Sequence, residues 1–380
     1  MCEHRKRNEE TLKYHELLSE EMKATLKLAG YTTPTPIQEK TLELILNKWD
    51  ILGIAQTGTG KTAAFAVPII ERVFTDNRKT QALVLCPTRE LALQTTEVFR
   101  KLSPGSKIRT VSVYGGQSAT VQIRALRAGA QIVVGTPGRI KDLINRNVLK
   151  LQNVRTVVLD EADEMLDFGF LPDIKAIVAN VTGQHQTLLF SATMNKEIMS
   201  IARQFQNDPV RIEIGNRNEP TETVRQSYLA AGEQQKSGAV QSLIKQEKPR
   251  LALIFCNTRR RVKNLQKQLL EQGFPVSCLH GDLSQSQRDA IMDTFRKGKT
   301  TVLVATDVAA RGIDVSNIDL VINYDIPDKM EYYVHRIGRT GRAGHAGRAC
   351  TLVSPQDRGK IVDIEKRFRI QLTKEQVISC

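Results

Sequence analysis

The stretch "DILGIAQTGTGKTAAFAVPII", residues 50–70, passes from a short apolar run into a glycine-rich turn and then into a helix-forming segment. A continuously apolar run of this length is the signature of a strand buried on both faces of a parallel sheet. The turn nearly matches G-x-x-x-x-G-K-[ST], with Ala55 in place of the first glycine. A helix N-terminus offers unpaired backbone N–H groups and the positive end of the helix dipole, which together favour an anion. The loop Ala55, Gln56, Thr57, Gly58, Thr59 and Gly60 is therefore read as a phosphate cradle, with the glycines letting the backbone curl around phosphate oxygens. In such a loop Lys61 reaches the β- and γ-phosphates and the Thr62 hydroxyl is placed to ligate Mg²⁺. The expected ligand is a nucleoside triphosphate.

Similar apolar runs recur outward from this point: 82–86, 131–135, 156–160 and 187–191, then 251–256, 276–279, 301–306, 319–324 and 349–353. Between them, segments such as "LALQTTEVFRKL" (91–102) and "SQRDAIMDTFRKG" (286–298) carry apolar residues at helical spacing. Strand alternating with helix predicts an α/β class, here two tandem mostly parallel sheets flanked by helices. The alternation pauses at "EIGNRNEPTETVRQ" (213–226), a polar stretch with Gly215 and Pro220. It reads as a boundary between domains. The expected division is a tail at 1–12, a first domain at 13–214, a linker at 215–225, a second domain at 226–372 and a tail at 373–380.

A chain of 380 residues is long enough for about two or three domains. A net charge of +14 favours a polyanionic partner such as nucleic acid. No apolar run approaches the ~20 residues of a membrane span, and the N-terminus has no secretory apolar core. Six cysteines without a C-x-x-C pair read as free thiols in a reducing compartment, so the cytoplasm is the expected location. The histidines show no zinc spacing.

Polar and glycine-rich clusters follow the apolar runs: "AQTGTGKT", "PTRELA", "TPGR", "EAD" and "SAT" in the first half, "NTRRR", "HGD", "TDVAARGID" and "DIP" in the second. Ligands of open α/β sheets bind outside the carboxyl ends of the strands, so each half is expected to present one functional rim. At the end of "VVLDEAD" (157–163), Asp160 is placed to hold Mg²⁺ and Glu161 to polarise the attacking water. "NKWD" (47–50) matches a guanine-recognition pattern, but it precedes the phosphate loop. A base-reading motif belongs on a later strand, and the guanine reading is set aside.

With "DEAD" (160–163), the ordered set "AQTGTGKT", "PTRELA", "TPGR", "SAT", "ARGID" and "HRIGRTGR" resembles the DEAD-box RNA helicases of superfamily 2, over residues from about 13 to 370. The resemblance implies two RecA-like domains, ATP and Mg²⁺ as ligands, and RNA as partner. "GYTTPTPIQ" (30–38) resembles the family's adenine-sensing element, with Gln38 on the adenine edge and Tyr31 close to the nucleotide. An amide both donates and accepts, which suits adenine. Tyr14 is the candidate for the upstream adenine-stacking aromatic, one residue closer to Gly30 than the family pattern; a core residue is the alternative.

The resemblance assigns RNA-backbone contacts to Pro87, Thr88, Arg89, Gly115, Gly116, Thr136, Gly138 and Arg139, and to Gly281 and Thr306 in the second half. An aromatic content of only 5% favours backbone-led binding over base stacking. Arg259 is a weaker candidate, equally readable as a solvated residue. Ser191 and Thr193 are expected to bond Asp163 and couple hydrolysis to RNA. Asp314 is assigned to the ribose, Arg339 and Arg342 to the γ-phosphate and transition state, and His335 to a link with Asp163. Arg336 stays open between that role and a structural ion pair. The first half has no arginine for the transition state, a role worth roughly 10³–10⁵ in rate; the "HRIGRTGR" arginines are the expected supply.

The expected activity is RNA-stimulated ATP hydrolysis with local, non-processive separation of RNA strands or remodelling of RNA–protein particles. The expected form is a monomer that meets ribosome-assembly or RNA-degradation proteins. An ATP-gated RNA clamp uses the same motifs; the short ends favour the enzyme and resemble bacterial members.

Overall fold

The computed structural model describes residues 14–56, 58–103, 105, 107–214, 224–310, 315, 318–341 and 346–375. The chain divides into two compact units, Met1–Gly215 and Asn216–Cys380.

In the first unit, α1 (Glu20–Leu28) and α2 (Pro36–Leu46) precede β1 (Ile51–Ile54), α3 (Lys61–Arg72), β2 (Ala82–Leu85), α4 (Arg89–Leu102), β3 (Thr110–Val113), α5 (Ala119–Arg127), β4 (Ile132–Gly135) and α6 (Pro137–Asn145). The unit closes with β5 (Thr156–Leu159), α7 (Ala162–Asp167), α8 (Leu171–Val178), β6 (Gln186–Ser191), α9 (Lys196–Phe205) and β7 (Val210–Glu213). The strands form one sheet in the order β3-β4-β2-β5-β6-β1-β7, and every pairing is parallel.

The second unit repeats the plan. It contains β8 (Val224–Ala230), α10 (Lys236–Glu247), β9 (Ala252–Phe255), α11 (Arg259–Glu271), β10 (Val276–Leu279), α12 (Gln285–Arg296) and β11 (Val302–Ala305). There follow α13 (Asp307–Ala310), β12 (Leu320–Asn323), α14 (Glu331–Ile337), β13 (Gly347–Val353), α15 (Arg358–Phe368) and β14 (Thr373–Glu375). The order β10-β11-β9-β12-β13-β8-β14 is that of the first sheet with each strand advanced by seven in the count.

The central strands are buried along their whole length because helices cover both faces. In the first sheet Ile51, Val84, Val158, Leu188 and Phe190 pack into one core layer. Their neighbours Leu52, Leu83, Leu85, Val157, Leu159 and Leu189 pack into the other. Each such side chain contributes roughly 1.5–3 kcal/mol of burial.

Four strands escape a search for continuous apolar runs: β3, β7, β8 and β14. β3, β7 and β14 are edge strands, and β8 alternates buried with exposed positions. β8 begins at Val224, so Val224 and Arg225, expected in the linker, are strand; residues 215–223 lie outside the described residues. Residues 373–375, expected as tail, pair with Ser227–Leu229.

Asp50 explains the "NKWD" stretch. It is buried, and its carboxylate accepts from Thr187 N at 2.7 Å and from Asn207 N at 2.7 Å. It ties the entries of β6 and β7 to β1, far from the strand ends where a base would be read. The described cysteines Cys86, Cys256, Cys278 and Cys350 are free and buried. No helix among the described residues is long and apolar enough to cross a membrane.

Gly135 marks where β4 must approach β3 closely. A Cβ there would sit 2.1 Å from the carbonyl oxygen of Val113, which accepts the N–H of Thr136 at 2.9 Å. Gly135→Ala therefore forces the strands apart. A loss of roughly 1–3 kcal/mol in urea unfolding of the first unit is expected, as for other overpacked cores.

Candidate nucleotide and nucleic-acid site

β1 delivers the phosphate loop at its carboxyl end, with Ala55 N held by Ser191 O at 3.0 Å. Gly58 and Gly60 have φ of 86° and 90°, a region that side chains disfavour. Gly60 is also the N-cap of α3. A Cβ on Gly60 would meet Gln38 Nε2 at 2.6 Å and Thr35 Oγ1 at 2.8 Å. Gln38 itself donates to Gly60 O at 3.1 Å and accepts from Thr35 N at 3.0 Å. Its amide thus spans the start of α2 and the phosphate loop, using both functions of the group. Tyr14, Tyr31, Pro34 and Gln38 line one small cavity beside Ala63 and Val67. Tyr14 is only 5% exposed and belongs to the core, where burial raises its phenol pKa.

Lys61 is buried and donates from Nζ to Ala55 O at 2.8 Å. Thr59 Oγ1 donates to Gln56 O at 2.8 Å. The loop is thus closed on its own carbonyls. Thr62 occupies the first turn of α3. Thr57 lies outside the described residues.

β5 delivers Asp160 and Glu161. Asp160 is buried, and its Oδ1 accepts from Glu161 N at 3.0 Å. Burial pushes its carboxyl up to about 7, against the pull of Lys61 and with the repulsion of Glu161. Glu161 holds φ 50°, ψ 53°, a left-handed conformation costing roughly 1–2 kcal/mol in a residue with a side chain. Backbone strain of this kind clusters at functional sites. Asp163 gathers donors from the end of β6: Ala192 N at 3.2 Å, Thr193 N at 2.9 Å and Thr193 Oγ1 at 3.0 Å. The expected Ser191 bond to Asp163 is replaced by a local one. Ser191 Oγ donates to Thr193 O at 2.7 Å and accepts from Thr193 N at 3.2 Å, so it shapes the turn that carries Asp163's donors.

The candidate RNA contacts of the first unit gather at three strand ends. Pro87 and Thr88 follow β2, and Thr88 caps α4 by accepting from Leu91 N at 3.2 Å. The Arg89 guanidinium lies 4.9 Å from the ring centre of Tyr114. Gly115 and Gly116 are exposed after β3, with Gly116 at φ 76°. Thr136 is the N-cap of α6, and Gly138 is exposed in its first turn. Arg139 donates to Gln122 Oε1 at 3.2 Å and to Gln117 O at 3.1 Å. Gln122 also accepts from Tyr114 N at 3.3 Å and donates to Tyr114 O at 3.0 Å. It orders the glycine turn, a role no sequence pattern announced.

In the second unit Gly281 is exposed just beyond β10. Thr306 Oγ1, at the end of β11, accepts from Ala309 N at 3.4 Å. Arg259 pairs with Asp282, so its charge is spent locally. Within "HRIGRTGR", His335 and Arg339 line one cavity with Tyr332 and Asp307. Asp314 and Arg342 lie outside the described residues.

Arg336 has a structural role. It is 1% exposed, and Nε and Nη2 clamp Asp307 at 2.5 and 2.6 Å. Nη1 donates to Asp325 O at 2.5 Å and Asn323 Oδ1 at 3.3 Å, and Nη2 also donates to Asn257 Oδ1 at 2.8 Å. The guanidinium lies 5.2 Å from the ring centre of Phe255. One side chain thus binds the ends of β9 and β12 to α13 and α14. Asp307, Asn257 and Asp325 stand in the polar clusters that follow the apolar runs, but their pairing with Arg336 was not legible in the sequence because that partner is distant in the chain.

A DEAD/DEAH box helicase family model matches residues 35–201, and a helicase conserved C-terminal domain model matches residues 235–344. The DEAD-box ATP-dependent RNA helicase CshA of Streptococcus pneumoniae is 48% identical over 96% of this chain and 69% of its own length. That of Geobacillus kaustophilus is 47% identical over 94% of this chain and 76% of its own. This chain is a DEAD-box helicase by family. Among solved structures, S. cerevisiae Dbp5 bound to RNA and ADP BeF3 is similar with TM-score 0.86 and 32% identity, covering 96% of each chain. Mss116p bound to ssRNA and AMP-PNP gives TM-score 0.86 at 28% identity, over 96% of this chain and 78% of that one. These are two-domain helicases of the RecA-like kind, in line with the two sheets of this DEAD-box protein.

Arg336→Ala leaves the partly buried Asp307 without its counter-charge and empties a buried guanidinium site, a change expected to cost up to roughly 3–5 kcal/mol. The expected outcome is unfolding of the second unit at lower temperature than the first, read by calorimetry on the full chain. Arg336→Lys restores charge but not the planar fork, and is expected to recover less than half of the loss.

Proposed function

We propose that this DEAD-box protein couples ATP hydrolysis to local opening of RNA duplexes through the rim of its first sheet, completed by arginines of its second unit. The observation that carries the proposal is the buried acidic pair at the end of β5, Asp160 and strained Glu161, with Lys61 acting electrostatically on Asp160. The relatives named as ATP-dependent RNA helicases and the neighbours bound to RNA and to nucleotide analogues support the ligands.

The Mg²⁺ site fits a metal that arrives with phosphate. Thr62 and Asp160 offer hard oxygen donors, and no cluster of three or more metal-ligating side chains exists among the described residues. Mg²⁺ is commonly held by one or two protein oxygens plus phosphates; when bound, it would offset charge on the β- and γ-oxygens.

Lys61 exchanges its bond to Ala55 O for the terminal phosphates, and the loop N–H groups take the remaining oxygens. Glu161 orients the attacking water and accepts its proton. Gln38 turns from Gly60 to the adenine edge, with Tyr31 and Tyr14 beside it. Arg339 and Arg342 meet the γ-phosphate, Asp314 the ribose, and His335 joins Asp163 when ATP draws the units together. Asp163, through its bonds to the 192–193 turn, links this chemistry to RNA held at Thr88, Arg89, Gly115, Gly116, Thr136, Gly138, Arg139, Gly281 and Thr306. ATP and RNA then favour the same closed state and strengthen each other's binding. Opening a few pairs is a modest task, at ~1.4 kcal/mol per stacked step by the DNA figure. The protein acts as a monomer, and its buried free thiols suit the reducing cytoplasm.

Glu161→Gln is expected to lower RNA-stimulated ATP turnover by ~10²–10⁴ while nucleotide and RNA affinity change less than threefold. Wild-type turnover in this variant would refute the base assignment. Duplex release measured in the same reactions separates a helicase from an ATP-gated clamp, which turns over ATP but releases no strand.

Asp160 must shed its proton before it can hold Mg²⁺. Its folded pKa, about 7, lies above the ordinary carboxylate range, so protons compete at acid pH. Mg²⁺-dependent nucleotide affinity is expected to rise from pH 6 to pH 8 and level off above. In the ligand-free protein the sign reverses for stability: the charged form is disfavoured by burial, so this group's contribution falls as pH rises through about 7. Fluorescent-nucleotide titration and thermal melts across that range check both.

A further inference from the structure

The carboxyl rim of the first sheet leaves one large cavity unexplained. It measures about 620 Å³ and lies at the opposite, amino-terminal edge, where β2, β5 and β6 begin and α3 ends. Its lining includes Lys48, Arg72, Phe74, Arg155 and His185, with Glu71 as the one acidic side chain. Glu71 is already engaged: its Oε1 accepts from Ser19 N at 3.0 Å and Ser19 Oγ at 2.9 Å. Taking histidine as neutral, Lys48, Arg72 and Arg155 against Glu71 leave a net charge of +2 on the lining.

Arg72 is fixed by one nitrogen, whose donors reach Ile45 O at 3.0 Å and Gln186 Oε1 at 2.7 Å. Gln186 is anchored in turn by Ile45 O and Trp49 O. The position of this guanidinium is therefore built into the fold. Arg155 lies 4.7 Å from the ring centre of Phe74, which is itself 54% exposed. His185 holds Gly183 O through Nδ1 at 2.9 Å, which leaves Nε2 for another partner. The two arginines disfavour one another: burial, and then the charge of Arg155, hold the Arg72 guanidinium below its usual pKa. Two guanidiniums that repel in the lining of one cavity, whose single carboxylate Glu71 is engaged by Ser19, are relieved by an anion. A planar fork pairs with phosphate through two parallel hydrogen bonds.

We propose that this cavity binds a small anion carrying two or more phosphate charges, at a site separate from the phosphate loop. Arg72 and Arg155 grip it, and Lys48 and His185 add donors. The site sits at the strand starts, whereas the nucleotide and RNA candidates of this unit sit at the strand ends. A small anion is favoured over the RNA backbone because Arg72 and Arg155 line one cavity beside Phe74 and Val73, where a compact ligand can meet both guanidiniums.

The test is calorimetric titration of pyrophosphate into the full chain, with ADP saturating the phosphate loop and divalent metal omitted. One further binding event is expected, weakened at least tenfold by Arg155→Gln and by Lys48→Gln. Both residues are exposed, so unliganded melting temperatures should stay within a degree or so of the parent. RNA-stimulated turnover and KM for ATP should also be unchanged in these variants. Absence of the event, or an event that Arg155→Gln leaves intact, overturns the proposal. So does competition by a short single-stranded RNA accompanied by an equal loss of RNA affinity in Arg155→Gln, which would make the cavity an RNA contact.

Discussion

Burial of parallel strands on both faces is the constraint from which the rest follows. A strand covered by helices on each side cannot carry a polar group along its length without leaving it unpaired. The central strands of both sheets are accordingly short and almost wholly apolar; Asn323, buried at the end of β12, is paired with Thr351 and Arg336. Polar chemistry is displaced to the strand ends, and the parallel arrangement gathers those ends along one edge. Asp160, Thr136, Thr306 and the phosphate loop all stand within two residues of a strand's last position. Asp50 shows the cost of polarity at the other edge. It is buried there only because two backbone N–H groups satisfy it.

The second consequence concerns the contacts within the phosphate loop itself. Lys61, Thr59 and Gln38 are all engaged with carbonyls of the loop itself. A buried ammonium without a partner would be far more costly than this exchange. Ligand binding therefore trades one set of hydrogen bonds for another, and the charge-assisted bonds to phosphate are the stronger set. Strain at Glu161 is kept in place by the bond from its own N–H to Asp160 and by the helix that follows.

The arginines of "HRIGRTGR" look equivalent in the chain, but the two among the described residues, Arg336 and Arg339, differ in space. Arg336 faces inward from α14 and is consumed by four oxygen-bearing partners. Arg339 lines a cavity with His335. A buried guanidinium needs all its donors met, and the carbonyl and carboxylate at the ends of β12 and β11 meet them. Arg336 lies on α14 and Arg339 just beyond its C-cap Gly338, so local position, not residue type, separates the scaffold from the candidate site.

The sequence by itself determined the α/β class, the two sheets, the phosphate loop and the acidic motif. Each is a local pattern: an apolar run of fixed length, glycines before a lysine, a carboxylate closing a strand. Edge strands β3, β7 and β14 were missed because the apolar pressure on a strand with one open edge is weaker and each carries polar residues, whereas β10, also at an edge, keeps an apolar run. The partners of Arg336, the role of Gln122 and the local bond of Ser191 needed the tertiary structure, as did the cationic cavity at the strand starts. Arg72 and Arg155 are far apart in the chain and belong to no motif. Only the side-by-side order of β2, β5 and β6, set by right-handed crossovers between buried strands, brings their charges to one place.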